Sequence, residues 1–183
     1  MRVGLYGGTF DPIHNGHIHV IQQLIARKIV DHLLVLPAGQ PRLRENDPHA
    51  TGAQRRAMCQ LAINELPAEI KDHVEVNPIE ILREGPSYTI DTVEAVAQSY
   101  IGDTIVLVVG TDAYEKIDQW HRAEELKKLV EFVVIDRPDF PGNHNTNVDA
   151  IAVSATDIRA HKSDAVPAAV AAYIKEHNLY ASK

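Results

Sequence analysis

Apolar positions along the chain switch repeatedly between two spacings. Arg2 to Tyr6 form a short, mostly apolar run of strand type. Residues 18, 21, 24, 25 and 29 are then apolar at helical spacing across Ile18–Ile29. His32 to Leu36 reads as a buried strand, closed by Pro37-Ala-Gly39, and Gln40 to Ala50 is a polar loop. Thr51-Gly-Ala-Gln54 has the spacing of a capping box and opens a helix to about Leu66. Val74 to Val76 is a short strand, Pro78 to Pro86 a connection, and Ser87 to Tyr100 a helix with Ile90, Val93, Val96 and Ala97 on one side. Thr104 to Val109 is the plainest buried strand, stopped by Gly110. Short helical pieces over 112–117 and 123–129 lead to a strand over Glu131–Ile135 and a loop over 136–148. Ala150 to Val153 reads as a last strand, Ser154 as a helix cap, and Pro167 as the start of a final helix to about His177.

Strands alternating with helices predict an α/β fold. The expected form is a doubly wound, Rossmann-like parallel sheet of five to six strands with helices on both faces, in one domain over 1–183. In the strand order 3-2-1-4-5, strands 1 and 4 meet at the switch point, and ligands bind beyond their carboxyl ends. Gly7-Gly-Thr9 and Gly110-Thr-Asp112 then face each other across one crevice.

Composition narrows the classes. With 183 residues, 45% hydrophobic and 23% charged, the chain is an ordinary globular sequence. A net charge of −7 argues against a general nucleic-acid binder, although a small polyanion needs only a local basic pocket. One cysteine, Cys59, allows no intrachain disulfide and suits a reducing cytoplasm. No stretch reaches membrane length.

The chemistry concentrates after the first strand. Gly7 and Gly8 let the backbone turn and approach a ligand, Thr9 and Phe10 follow, and a helix begins near Gly16. A strand, a turn and a helix N-terminus suit phosphate binding. Neither G-x-G-x-x-G nor G-x-x-x-x-G-K-[ST] is present. His14 and His17 stand instead, about 60° apart around a helix, so that one face presents both imidazoles. They suit stabilising charge as a phosphate departs, or are two solvated histidines at a helix start. As a metal pair they lack partners: His19 lies about 200° around the helix from His17, and no cysteine or acidic cluster completes the set. Farther on, Ser154 caps a helix with Asp157 three residues later, Ser154 and Thr156 place hydroxyls in its first turn, and Arg159 offers a planar fork to a phosphate. Alone, that is also an ordinary capped helix.

Gly7-Gly-Thr-Phe-Asp-Pro-Ile-His-Asn-Gly-His17 resembles the G-x-F-x-P-x-H-x-G-H signature of the nucleotidyltransferase superfamily. Val153-Ser-Ala-Thr-Asp-Ile-Arg159 resembles its I-S-S-T-x-I-R motif, which grips the triphosphate opposite the histidines; Ala155 replaces the second serine. Pro86 to Thr92, Gly110 to Ala113, Trp120, Phe132 to Pro138 and the tail Val166 to Tyr180 resemble the bacterial nicotinate mononucleotide adenylyltransferases, and the match runs from residue 1 to about 180.

The resemblance implies adenylyl transfer from ATP to nicotinate mononucleotide, with Mg²⁺ carried by ATP. It implies His14, His17 and Arg159 as catalytic groups; Gly7, Gly8, Thr9, Phe10, Gly110, Asp112, Ser154 and Thr156 complete the ATP site. Trp120 stacks on the pyridine ring or anchors a loop. Tyr88 and Thr89 receive the carboxylate at a helix start or merely cap it. Asp112 contacts the adenosine part or caps a short helix. Where the family carries P-P-H-K, this chain has Pro41-Arg-Leu-Arg44, so Arg44, with Arg42, takes the acceptor's 5′-phosphate or is solvated. Neither nucleic acid nor membrane is an expected partner, and a homo-oligomer stays open. Alternatives are the amide mononucleotide or phosphopantetheine as acceptor, and a non-catalytic nucleotide-binding regulator. A resemblance of the H-x-G-H element to class I aminoacyl-tRNA synthetases is set aside, because the chain is short and acidic.

Overall fold

Five parallel strands carry the fold: β1 (Arg2–Gly8), β2 (His32–Pro37), β3 (Val74–Val76), β4 (Thr104–Gly110) and β5 (Glu131–Ile135). The structure, a computed structural model, describes residues 1–39, 48–136 and 146–181. The order is β3-β2-β1-β4-β5, as the alternation predicts. β1 and β4 pair directly, with Tyr6 opposite Val108, so their carboxyl ends meet at the switch point.

Successive strand residues serve opposite faces. Leu33, Val35, Val106 and Val108 join the core beneath α1 (Asn15–Ala26), α2 (Gly52–Asn64) and α9 (Ala168–Glu176). Leu34, Leu36, Ile105, Leu107 and Val109 join the core beneath α5 (Thr89–Ser99) and α7 (Ala123–Leu129). Burial on both faces explains the unbroken apolar runs of β2 and β4, and each such side chain contributes roughly 1.5–3 kcal/mol. Shorter helices α3 (Ala68–Lys71), α4 (Ile79–Leu82), α6 (Thr111–Tyr114) and α8 (Ala155–Arg159), with a 3₁₀ turn over Ile117–Gln119, complete the order, the labels following the chain. The capping box of α2 forms as its spacing predicts: Thr51 Oγ1 accepts from Gln54 N at 3.2 Å, and Gln54 Oε1 accepts from Thr51 N at 3.0 Å.

Three expectations are corrected. The sharp turn does not fall on Gly7 and Gly8, which are the last residues of β1; Phe10, at φ 50°, makes it. Gly8 is still needed, because a Cβ there would meet the Phe10 ring at 3.0–3.3 Å. The connection over 78–86 contains the turn of helix α4. Finally, Ala150–Val153 is not a strand. Beyond β5 a single parallel bridge, Ile135 to Thr146, forms instead. Local bonds occupy backbone groups within the segment and just before it. Asn147 Oδ1 accepts from Asp149 N, Ile151 O accepts from Val153 N, and His19 Nε2 donates to Val148 O at 2.7 Å. The sheet of the described residues has five strands, and the 150–154 segment becomes a wall of the cleft.

Candidate active site

A cleft of about 480 Å³ opens beyond the carboxyl ends of β1 and β4, within the size range of small-molecule sites. It brings together Gly8, Thr9, Phe10, His14, His17, Gly110, Asp112, Ser154, Thr156 and Arg159. Gly7 does not line it, nor do Tyr88, Thr89 and Trp120. Arg42 and Arg44 lie outside the described residues.

The two histidines meet, though not as neighbours on a helix face. His14 is the N-cap of α1, with extended backbone at φ −142° and ψ 174°, and His17 is the third helical residue. They form a capping box made of imidazoles. His14 Nδ1 accepts from Gly16 N at 3.1 Å, and His17 Nδ1 accepts from His14 N at 3.2 Å. The rings stack with centroids 3.6 Å apart and planes 21° from parallel. Because both Nδ1 atoms accept, a neutral ring carries its proton on Nε2 in each case. Helix capping thus selects the tautomer. Phe10 holds His17 from the side, edge to face at 4.9 Å, and Tyr6 packs edge-on to both Phe10 and His17.

The opposite wall is α8. Ser154 Oγ accepts from Asp157 N at 3.0 Å and so caps the helix. Arg159 reaches across the cleft: its Nη1 donates to the Asp11 carbonyl at 2.8 Å, while Nη2 lies 3.4 Å from Thr156 Oγ1. The guanidinium therefore bridges α8 and the turn after β1. Gly110 is the N-cap of α6, and Asp112 sits in its first turn, not at its cap.

Two charged residues that sequence reasoning passed over hold the turn in place. Asp11, 4% exposed, accepts from His49 N at 2.8 Å and Ala50 N at 3.1 Å, and from the Tyr180 hydroxyl at 2.7 Å. Arg55, 3% exposed, donates to the carbonyls of Thr9, Ala38 and Ala50. Burial pulls its guanidinium below the ordinary value, with Asp11 opposing. A signal for Arg55 was present. It shares the i, i+3, i+4, i+7, i+8 stripe with Met58, Cys59, Ala62 and Ile63, all buried, so a charge stood on an apolar face. Tyr180 carried no local signal.

The acceptor candidates lie apart. Tyr88 is the N-cap of α5 without a side-chain cap bond, and Thr89 is its first residue. The Tyr88 ring stacks on His121 at 4.2 Å. Trp120 follows the 3₁₀ turn and packs, partly buried, against the α5–α7 core. Among the described residues no group of three or more His, Cys, Asp or Glu side chains could hold a metal, and the Asp11 oxygens in the cleft are taken by protein donors.

Stacked histidines at a helix start, facing an arginine from a capped helix at the switch point of a five-stranded sheet, are the features of a nucleotidyltransferase. The chain belongs to the cytidylyltransferase-like family, whose model matches residues 5–161. Within that class it belongs to the nicotinate-nucleotide adenylyltransferases. It is 32% identical over 192 residues to the nicotinate-nucleotide adenylyltransferase of Bacillus subtilis (strain 168), covering 99% of each chain. It is 35% identical over 213 residues to a protein of Pseudomonas aeruginosa (strain UCBPP-PA14) named "probable nicotinate-nucleotide adenylyltransferase", covering 98% and 97%. The fold matches the Plasmodium falciparum nicotinic acid mononucleotide adenylyltransferase complexed with NaAD, at a TM-score of 0.84 over 98% of this chain and 97% of that one. At 19% identity this likeness concerns the fold alone. Among the described residues no helix is long and apolar enough to cross a membrane.

Proposed function

We propose that the chain transfers the adenylyl group of ATP to nicotinate mononucleotide, giving nicotinate adenine dinucleotide and pyrophosphate in NAD biosynthesis. A 5′-phosphate oxygen of the acceptor attacks the α-phosphorus, and the bond to the bridging oxygen of the β-phosphate breaks as pyrophosphate leaves. That oxygen is already deprotonated, so no protein nucleophile or base is required. Catalysis is then positioning and charge stabilisation. The observation that carries the reading is the pairing of His14 and His17 with Arg159 across one cleft, in a chain 32% identical over its length to a nicotinate-nucleotide adenylyltransferase.

We assign the Nε2–H groups of His14 and His17, the hydroxyls of Ser154 and Thr156, and Arg159 to the triphosphate. Gly8, Thr9 and Phe10 shape the turn beside it, and Gly110 and Asp112 face the adenosine part. Mg²⁺ bound to the ATP phosphates neutralises part of their charge; it keeps waters and takes few protein ligands. Trp120, Tyr88 and Thr89 are assigned to the nicotinate ring and its carboxylate. The uncapped N-terminus of α5 supports that choice, since its first N–H groups have no side-chain acceptor. Arg44, with Arg42, is assigned the acceptor's 5′-phosphate. We place the reaction in the cytoplasm, where a reducing environment suits the free, buried thiol of Cys59.

The test is pyrophosphate release from MgATP with nicotinate mononucleotide, its amide and phosphopantetheine in parallel. Strong preference for the acid form is the expected result. Equal rates on acid and amide would keep adenylyl transfer and remove the carboxylate assignment at Tyr88 and Thr89. ATP binding without turnover on any acceptor would replace the enzyme with a nucleotide-binding regulator.

A further inference from the structure

We propose that Tyr180 is a positioning residue for the phosphate-binding turn. Its hydroxyl holds Asp11, and the segment after α9 thereby becomes part of the working site. The inference rests on the adenylyl-transfer reading, because it takes the turn and Arg159 as the groups that bind triphosphate.

The Tyr180 hydroxyl donates to Asp11 Oδ1 at 2.7 Å across 169 positions of sequence. Asp11 is buried, and its main-chain oxygen is the one that receives Arg159 Nη1. A single residue therefore links Tyr180, through its carboxylate, to the guanidinium assigned to the triphosphate, through its carbonyl. Two residues earlier, Thr9 O receives Arg55 Nη1 at 2.8 Å, so the turn is gripped on both sides. Three residues after Asp11 stands His14. A shift of the Asp11 backbone moves the histidine pair and the arginine in one displacement.

Tyr180 is itself held for this contact. Asn178 and Tyr180 both adopt left-handed backbone, at φ 51° and 57°, and these turns bring the chain back after α9. Non-glycine residues adopt that conformation only where surrounding contacts compensate. The contacts are present: Leu179 N donates to Ile174 O, His161 Nε2 donates to Tyr180 O at 2.7 Å, and the Tyr180 ring packs edge-on to His49. Burial and the Asp11 carboxylate push the Tyr180 phenol well above its ordinary value, so the hydroxyl stays a donor throughout the neutral range. None of these contacts reaches Tyr88, Thr89 or Trp120, so the effect belongs to the ATP side.

Tyr180→Phe removes one oxygen and keeps the ring. Misplacement of about 1 Å at such a site costs up to ~10²-fold in rate, and a relaxed turn should cost about tenfold. The experiment measures kcat, both KM values and Tm for Tyr180→Phe, Asp11→Asn and the double variant with MgATP and nicotinate mononucleotide. The expected result is kcat about tenfold lower in Tyr180→Phe, an acceptor KM within about twofold of the parent and a Tm lower by about 2–4 °C, the cost of one hydrogen bond. The double variant should be no slower than the slower single one. A kcat within about twofold of the parent overturns the proposal, as do losses that multiply in the double variant. Should Asp11→Asn fail to fold, the split between kcat, KM and Tm in Tyr180→Phe decides alone; a lower Tm with kcat intact marks a merely structural role. Should the parent itself release no pyrophosphate, the adenylyl-transfer reading fails separately. The positioning role is then read from the Kd for MgATP by calorimetry: at least threefold weaker binding in Tyr180→Phe, about 0.65 kcal/mol, supports it, and an unchanged Kd overturns it.

Discussion

The two sides of the site are built differently. On the side we assign to ATP, the groups that support the turn are buried and tied to backbone, while His17 and Arg159 are half-buried. His14 and Asp11 are 6% and 4% exposed, Arg159 bonds to a carbonyl of the facing turn, and Arg55 gathers three more carbonyls behind it. On the side we assign to the acceptor, half-exposed rings lie on the opposite core. Tyr88 stacks on His121, Trp120 packs against the same core as Tyr88, and the loop is pinned by Arg122, which pairs with Glu94 at 2.8 Å in solvent. The difference follows from what each side must do. Charge that develops in a transition state is stabilised best by dipoles already in place, whereas a flat ring needs only a face of the right shape. Disturbing the first side should therefore change kcat, and disturbing the second should change the acceptor KM.

The largest expected effect is at His17. Removal of a positioned donor of this kind costs roughly 10²–10³ in rate, and that range is expected for His17→Ala. The capping box supplies a control, His14→Asn. Asparagine is a strong N-cap, so Tm should stay near the parent while kcat falls. A His17→Ala enzyme within about threefold of the parent would remove the histidine from the mechanism and level the contrast between the two sides.

Next is Arg55→Ala, which strands the carbonyl of buried Ala50 and those of half-buried Thr9 and Ala38. At about 1 kcal/mol for each lost bond, stability should drop by ~3 kcal/mol, or roughly 6–12 °C in Tm. An unchanged Tm would show that water replaces the guanidinium, and that the ATP side is less rigid than its contacts indicate.

On the other side, Trp120→Ala should raise the acceptor KM by about tenfold and leave the KM for MgATP within about twofold. Equal increases in both would show Trp120 to be a loop anchor shared by the two halves.

The smallest effect is at Glu80, where α4 meets α5. Burial raises its carboxyl above the ordinary value, against the hydrogen bond from Thr92 and the attraction of Arg83. The folded state thus holds this proton more tightly than the unfolded chain. Its contribution to stability is complete below the ordinary carboxyl range and is lost as pH rises through the raised value. Glutamine keeps an oxygen for Thr92 Oγ1, which donates to Glu80 at 3.0 Å, and carries no charge. Glu80→Gln should therefore match or exceed the parent Tm by roughly 1–3 °C above pH 7, with the gap closing below about pH 4. A parent more stable at high pH would mean that Arg83 outweighs burial.

Strand identity, strand order and the position of the cleft were legible in the sequence, because apolar period and glycine or proline stops are local properties. The five strands fall within a residue or two of their expected bounds, and the expected order leads directly to the switch point between β1 and β4. The motif residues His14, His17, Ser154, Thr156 and Arg159 stood out in the sequence, and the chain closes them around one cleft. Tertiary structure alone decided three other things. It made Ala150–Val153 a wall instead of a sixth strand, with Val153 N bonded to Ile151 O inside the segment and Val148 O and Asp149 N bonded to His19 and Asn147 just before it. It made the histidines a cap whose bonds select their tautomer, since a cap depends on φ and ψ that composition does not report. And it joined Asp11, Arg55 and Tyr180, far apart in sequence, into the support beneath the phosphate turn. Periodicity records which face of an element is buried; it does not record which distant polar group satisfies a buried one, and that pairing exists only once the chain is folded.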